Sequence, residues 1–252
     1  MMTRRASFTL PLLAPLAASS LMTSCAHDPA PAEGQHPLTI ALPGREEVLR
    51  LWLYLPPGYA ASRQPWPLVV FLHGSGERGD ELARVKVHGP PRHVDRGNAY
   101  PFVLASPQLA EGRRWEPTTL HALVLDLQAR LRVDPERICA TGLSLGGHGV
   151  WVWAAAYPRD LAAIVPVCGF GRPGDVCRAR QVPVRAYHGE VDPVVPLARQ
   201  QACVDALRAC GGTVDFIVYP GVGHAAWDPA YEDPALVPWL MQQRRAQGRR
   251  AT

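Results

Sequence analysis

The chain has 252 residues, 47% of them hydrophobic and 19% charged, a makeup that excludes disorder as the main state. The formal charge is +4, but Arg4 and Arg5 lie in the first 24 residues and Arg244, Arg245, Arg249 and Arg250 crowd the last nine, so the body is close to neutral. Basic residues that are scattered or confined to a tail leave no nucleic-acid footprint, and no nucleic-acid partner is expected.

Arg4 and Arg5 precede an apolar run from Phe8 to Leu21 that Pro11 and Pro15 interrupt. A positive start followed by a short apolar stretch is the pattern of an export signal, too short for a confident spanning helix. The segment Leu21-Met22-Thr23-Ser24-Cys25 resembles a bacterial lipoprotein signal, in which Cys25 is lipidated and becomes the first mature residue. Ordinary cleavage after Ala26 is the competing reading. Residues 1–25 are thus assigned to the export signal, 26–37 to a flexible linker, 38–247 to one domain and 248–252 to a tail. The expected location is the bacterial cell envelope or the periplasm or medium, with membrane contact only through the N-terminal lipid.

Strand-like and helical patterns then alternate. Residues 38–42 and 48–56 suggest an opening antiparallel pair. Residues 67–73 (PLVVFLH) form a continuous apolar run, as a strand buried on both faces requires. A strand is expected at 102–107, a helix at 117–132, a strand at 137–142 and a helix at 144–157. Strands at 161–168 and 182–189, a helix at 196–210, a strand at 213–220 and a helix at 235–247 complete the order. Such alternation predicts an α/β fold with a mostly parallel sheet covered by helices on both faces.

Five cysteines follow Cys25. Cys139 lies in an apolar strand pattern and reads as a buried thiol. Cys168 and Cys177 flank a Gly/Pro-rich loop, and a disulfide closing that loop is the preferred pairing. Cys203 and Cys210 lie roughly 10 Å apart on a helix, too far to join each other. No Cys/His cluster has metal-ligand spacing, so no metal site is expected.

The strongest local signal is Gly142-Leu143-Ser144-Leu145-Gly146, set between an expected strand and an expected helix. A sharp strand-to-helix turn there forces Ser144 into a strained backbone and pushes its hydroxyl outward, while the glycines leave room for neighbouring chain. A serine hydroxyl needs an adjacent base, and this motif predicts the chain order Ser, acid, His. Asp192 lies in the loop after strand 182–189, with Glu190 as the alternative acid. His224 follows the last strand, between Gly223 and Ala225. The backbone N–H of Leu145 is one expected donor to a tetrahedral oxyanion. The second is expected from His73-Gly74-Ser75-Gly76, with Ser75 first and Gly74 next. His73 itself reads as a structural hydrogen-bonder beside this loop. Trp115 and Trp227 lie in loops beyond strand ends, where they either line an acyl or aromatic pocket or pack their loops.

Residues 68–81 (LVVFLHGSGERGDE), 133–151 (VDPERICATGLSLGGHGVW), 182–196 (VPVRAYHGEVDPVVP) and 218–227 (VYPGVGHAAW) together resemble the α/β-hydrolase family of phospholipase/carboxylesterase-like proteins. Bacterial members of that group are often labelled predicted peptidases; polyhydroxybutyrate-depolymerase-like and feruloyl-type esterases are similar. The resemblance spans about residues 38–243. It implies an eight-stranded hydrolase sheet with antiparallel first connections; the short connections between the expected strands, with no long apolar insertion, predict no large lid. It also implies Ser144 as nucleophile, Asp192 as acid, His224 as base, Leu145 with the Gly74–Ser75 region as oxyanion donors, and no cofactor. Ala225-Ala226 departs from the polar residues that relatives often carry after the base.

The expected activity is hydrolysis of a small-molecule carboxylic ester with a small or medium acyl group. A serine peptidase and a non-catalytic binding protein on the same scaffold are the alternatives.

Overall fold

A computed structural model describes residues 32–42 and 48–245, so Cys25 and the expected signal, much of the linker, the last two residues of the expected domain and the whole tail lie outside the described residues. Eight strands form one sheet: β1 (Gly34–Ala41), β2 (Val48–Leu55), β3 (Trp66–Leu72), β4 (Val103–Pro107), β5 (Val133–Leu143), β6 (Ala163–Val167), β7 (Val184–Gly189) and β8 (Val214–Tyr219). Their spatial order is β1-β2-β4-β3-β5-β6-β7-β8. β1 pairs antiparallel with β2, and β2 antiparallel with β4; every later pairing is parallel. The helices are α1 (Gly89–Asp95), α2 (Pro117–Arg130), α3 (Leu145–Ala156), α4 (Leu197–Ala209), α5 (Trp227–Glu232) and α6 (Leu236–Gln242).

The continuous apolar run in β3 is resolved by the two-residue period of a strand. Leu68, Val70 and Leu72 face a core shared with α2, α3 and α4, through Leu123, Trp153 and Val204 among others. Val69 and Phe71 face the opposite core, completed by Tyr231 of α5 and Leu236 and Leu240 of α6. Both faces are covered, so the central strands carry almost no polar residue. α2 opens on Pro117 at its first turn, where a missing N–H costs nothing.

Three expectations are corrected. β1 starts at Gly34, inside the segment read as linker, because Gly34–Pro37 pair with Trp52–Leu55. Ladder hydrogen bonds recruit these residues although their composition is polar. The last helix is short: it ends at Gln242, and Gln243 is already extended. The disulfide joins Cys177 to Cys210, not to Cys168. Cys177 lies on the 3₁₀ turn Val176–Ala179, which packs against α4, and Cys210 caps α4. Cys168 is fully buried at the end of β6 and remains a thiol.

The bridge spans a sequence separation of 33, and the chain-entropy relation assigns such a loop about 3–4 kcal/mol. Cys177→Ser is expected to lower stability by about that amount in urea denaturation, with ester turnover unchanged below the transition.

Candidate active site

β5 ends at Leu143 and α3 begins at Leu145, so Ser144 alone makes the turn, with φ 51° and ψ −112°. A non-glycine residue in that region is strained and persists only where its surroundings hold it. Here Ser144 N–H donates to Val167 O at 2.9 Å and His148 N–H to Ser144 O at 2.9 Å. The motif glycines have a steric reason. A Cβ on Gly146 would lie 1.8 Å from Leu72 O, and one on Gly142 2.6 Å from Gly146 carbonyl atoms.

The structure brings the three separated residues together. His224 Nε2 lies 3.0 Å from Ser144 Oγ, and His224 Nδ1 lies 2.7 Å from Asp192 Oδ2. Asp192 follows β7, and its side chain is fully buried. Its Oδ1 accepts Val194 N–H at 2.8 Å and Val195 N–H at 2.9 Å. Burial by itself raises the Asp192 carboxyl pKa, but the His224 hydrogen bond, the two backbone donors and the His224 charge outweigh it and hold the group below the ordinary carboxylate range. Glu190, the alternative acid, is exposed and accepts Gly221 N–H at 2.9 Å. It ties the Asp192 loop to the turn after β8 instead. The two loops meet closely: a Cβ on Gly189 would lie 2.1 Å from Gly223 O.

Leu145 is the first residue of α3, so its N–H has no acceptor within the helix and is available at the site. Ser75 is exposed at the head of the Ser75–Glu77 turn. The expectation for Gly74 is corrected, because its N–H donates to Glu77 Oε2 at 2.8 Å. Of the two residues expected from this loop, only Ser75 then remains as a candidate donor.

His73 anchors the loop. It is fully buried, its Nε2 accepts Leu109 N–H at 3.0 Å, and its Nδ1–H donates to Gly74 O at 2.7 Å. Trp115 Nε1–H donates to His73 O at 3.1 Å, and the indole packs over Gly149 of α3. Trp115 thus braces the loop, and its far side lines a cleft of about 430 Å³ with Leu42, Leu109 and Arg50. Trp227 stands edge-on to His224, with ring centroids 5.2 Å apart.

Burial, more than any other influence, lowers the His73 pKa from 6.5 to about 4. Between those two values the unfolded chain holds a proton that the folded chain lacks. Stability therefore falls as pH drops from 6.5 toward 4, by about 3 kcal/mol from this group. Urea denaturation across that range is expected to show the loss, and His73→Gln to lack this part of the slope while being less stable throughout.

Two neighbours of the triad were not foreseen. His188, at the end of β7, is fully buried, with Nδ1 on Gln200 Oε1, Nε2 2.8 Å from Val195 O and the same Nε2 3.4 Å from Asp192 Oδ2. Gln200 Nε2–H in turn donates to Pro166 O at 3.2 Å. Cys168 has φ 47° and is fully buried, with the Gly189 and Ala226 N–H groups directed at its sulfur. Burial, aided by Asp192, pushes its thiol up to about 12, so it stays protonated and offers no competing nucleophile.

Known proteins align with this arrangement. A carboxymethylenebutenolidase-like protein of Methylorubrum extorquens is 32% identical over 49% of the chain and 47% of its own length. Acyl-protein thioesterase 1 of Gibberella zeae is 26% identical over 67% of the chain and 87% of its own length. A thermostable esterase of known structure superposes with a TM-score of 0.73 at 28% identity, covering 84% of this chain and 63% of that one. The chain therefore spans about half the length of the first of these curated relatives. The dienelactone hydrolase family model matches residues 110–235, half of the chain and the stretch that carries Ser144, Asp192 and His224, and the chain belongs to that family.

Proposed function

We propose that the protein is a serine hydrolase that cleaves carboxylic esters of small or medium acyl groups through an acyl-enzyme on Ser144. The continuous chain from Ser144 Oγ through His224 to Asp192, at 3.0 and 2.7 Å on a strained turn, carries this reading. His224 Nε2 takes the Ser144 proton as the hydroxyl attacks the ester carbonyl. Asp192 holds the Nδ1–H tautomer and stabilises the imidazolium that forms. The oxyanion is held by Leu145 N–H and Ser75 N–H, each such donor being worth about 10²–10³ in rate. His224 then protonates the leaving alcohol, and water enters by the same route in reverse.

The limited acyl length is supported by the short connections after β5, β7 and β8, which carry no long apolar insertion among the described residues. The relatives' names add weight on the ester side, since they include an esterase and a thioesterase. A fluorophosphonate probe is expected to label Ser144 alone, as read by peptide mass. Turnover is expected on p-nitrophenyl acetate and butyrate, falling with chain length and absent on peptides. No labelling at Ser144 would refute the assignment.

We also propose export, with Cys25 as the lipid-bearing first residue. The signal-like segment supports it, and a mature N-terminus carrying acyl mass on Cys25 is the expected result. No helix of the described residues is long and apolar enough to cross a membrane.

A further inference from the structure

We propose that Cys168, Asp192 and His224 form a binding site for a zinc ion, and that occupancy switches the esterase off. Each of the three offers one ligand atom, and these atoms all lie within 4.8 Å of one another. Their positions in the chain hide this, because Cys168 closes β6, Asp192 follows β7 and His224 follows β8. Only the fold makes them neighbours.

The donor set suits zinc. Sulfur, nitrogen and oxygen ligands at about 2.0–2.3 Å stand some 3.3–3.7 Å apart around a tetrahedral ion, so separations near the 4.8 Å limit close by about an ångström, while His224 Nδ1 and Asp192 Oδ2, 2.7 Å apart, open by about half an ångström. Magnesium and calcium, which prefer oxygen, find too few oxygens here. Asp192 Oδ1 is already held by two backbone donors, which leaves Oδ2 as the ligand atom. Cys168 and the Asp192 side chain are fully buried, whereas the His224 side chain is 18% exposed, so the ion enters past the imidazole.

Binding balances in charge and protons. The Cys168 thiol releases its proton to solvent and bonds through the thiolate. His224 bonds through Nδ1, and the proton formerly on Nδ1 moves to Nε2. Thiolate and carboxylate together match the two positive charges of the ion, so a neutral cluster is buried. With a proton on Nε2, His224 no longer accepts the Ser144 proton, and attack stops.

The loss of turnover rests on the esterase reading, so the test has two arms. In the first, zinc chloride is titrated into the full chain turning over p-nitrophenyl butyrate, with magnesium chloride as control. Zinc is expected to inhibit, EDTA to restore the rate and magnesium to do nothing. Cys168→Ala is expected to retain turnover and, since even an outer-shell partner is worth roughly 10–100-fold in metal affinity, to raise the inhibition constant by at least that much. Cys168→Ser is the second variant should the alanine protein misfold.

In the second arm, cobalt(II) is added to Ser144→Ala protein. A near-ultraviolet thiolate-to-cobalt charge-transfer band is expected, and it should vanish when Cys168→Ala is added. Equal zinc inhibition with and without Cys168, or no band, overturns the site. A retained band in a chain without any esterase turnover overturns the activity instead.

Discussion

Ser144→Ala is expected to lower kcat on p-nitrophenyl butyrate by about 10⁴–10⁶-fold with KM little changed. On the proposed mechanism the hydroxyl is the bond-forming atom, and nothing else at the site replaces it. Cys168 is a buried, protonated thiol, and among the described residues Ser75 has no imidazole as a hydrogen-bond partner. A residual rate above the uncatalysed reaction would come from Leu145 and Ser75 N–H groups alone. Undiminished turnover would remove Ser144 from the mechanism. The same position stores strain. With φ 51°, Ser144→Gly is expected to be inactive yet more stable. Relief of backbone strain outweighs glycine's entropy by about 1 kcal/mol, a rise of about 2–4 °C in Tm.

Gly146→Ala is expected to be the most damaging single-methyl change, at more than about 4 kcal/mol. The new carbon would sit 1.8 Å from Leu72 O, and that oxygen belongs to the central strand β3. Neither partner is a movable side-chain tip: α3 would have to lift from the sheet, taking Ser144 out of reach of His224. Soluble yield and calorimetric Tm read the effect. Gly76→Ala is the control, because a Cβ there meets nothing within 4 Å, and its stability is expected to change by less than about 0.5 kcal/mol. Equal behaviour of the two variants would mean that the close approach of α3 to β3 is not what holds the turn.

Much of this site was legible in the chain because its chemistry is tied to local chain geometry. The serine turn announces itself through glycines at fixed offsets, and Asp192 and His224 follow strands whose apolar patterns mark their own ends. The sheet was legible for a similar reason, since residues 67–73 carry the two-sided burial of a central strand. Contacts that join separate strands left no local trace. His188 gave no signal beyond preceding Asp192 by four residues, and its partner Gln200 belongs to the next helix. The Cys177–Cys210 bridge depends on how a 3₁₀ turn packs on α4, which spacing along the chain does not encode. Gly74 was misread because Glu77, three residues on, reaches back for its N–H. The first residues of β1 were missed because an edge strand is recruited by its neighbour's backbone, not by its own hydrophobicity.

β8, the strand before His224, is the last of the sheet, with only β7 beside it among the described residues, and its residues are half-exposed or exposed. Ser144, by contrast, follows β5 in the middle of the sheet. Descendants of this gene can therefore vary the outward residues of β8 and the exposed Pro220 and Gly221 after it, whereas α5 and α6 beyond that turn are fixed in the packed interior by Ala230, Tyr231, Leu236 and Leu240. On the proposed mechanism each such change reshapes the approach to His224, so variation has an open margin on one side of the molecule and a closed one on the other.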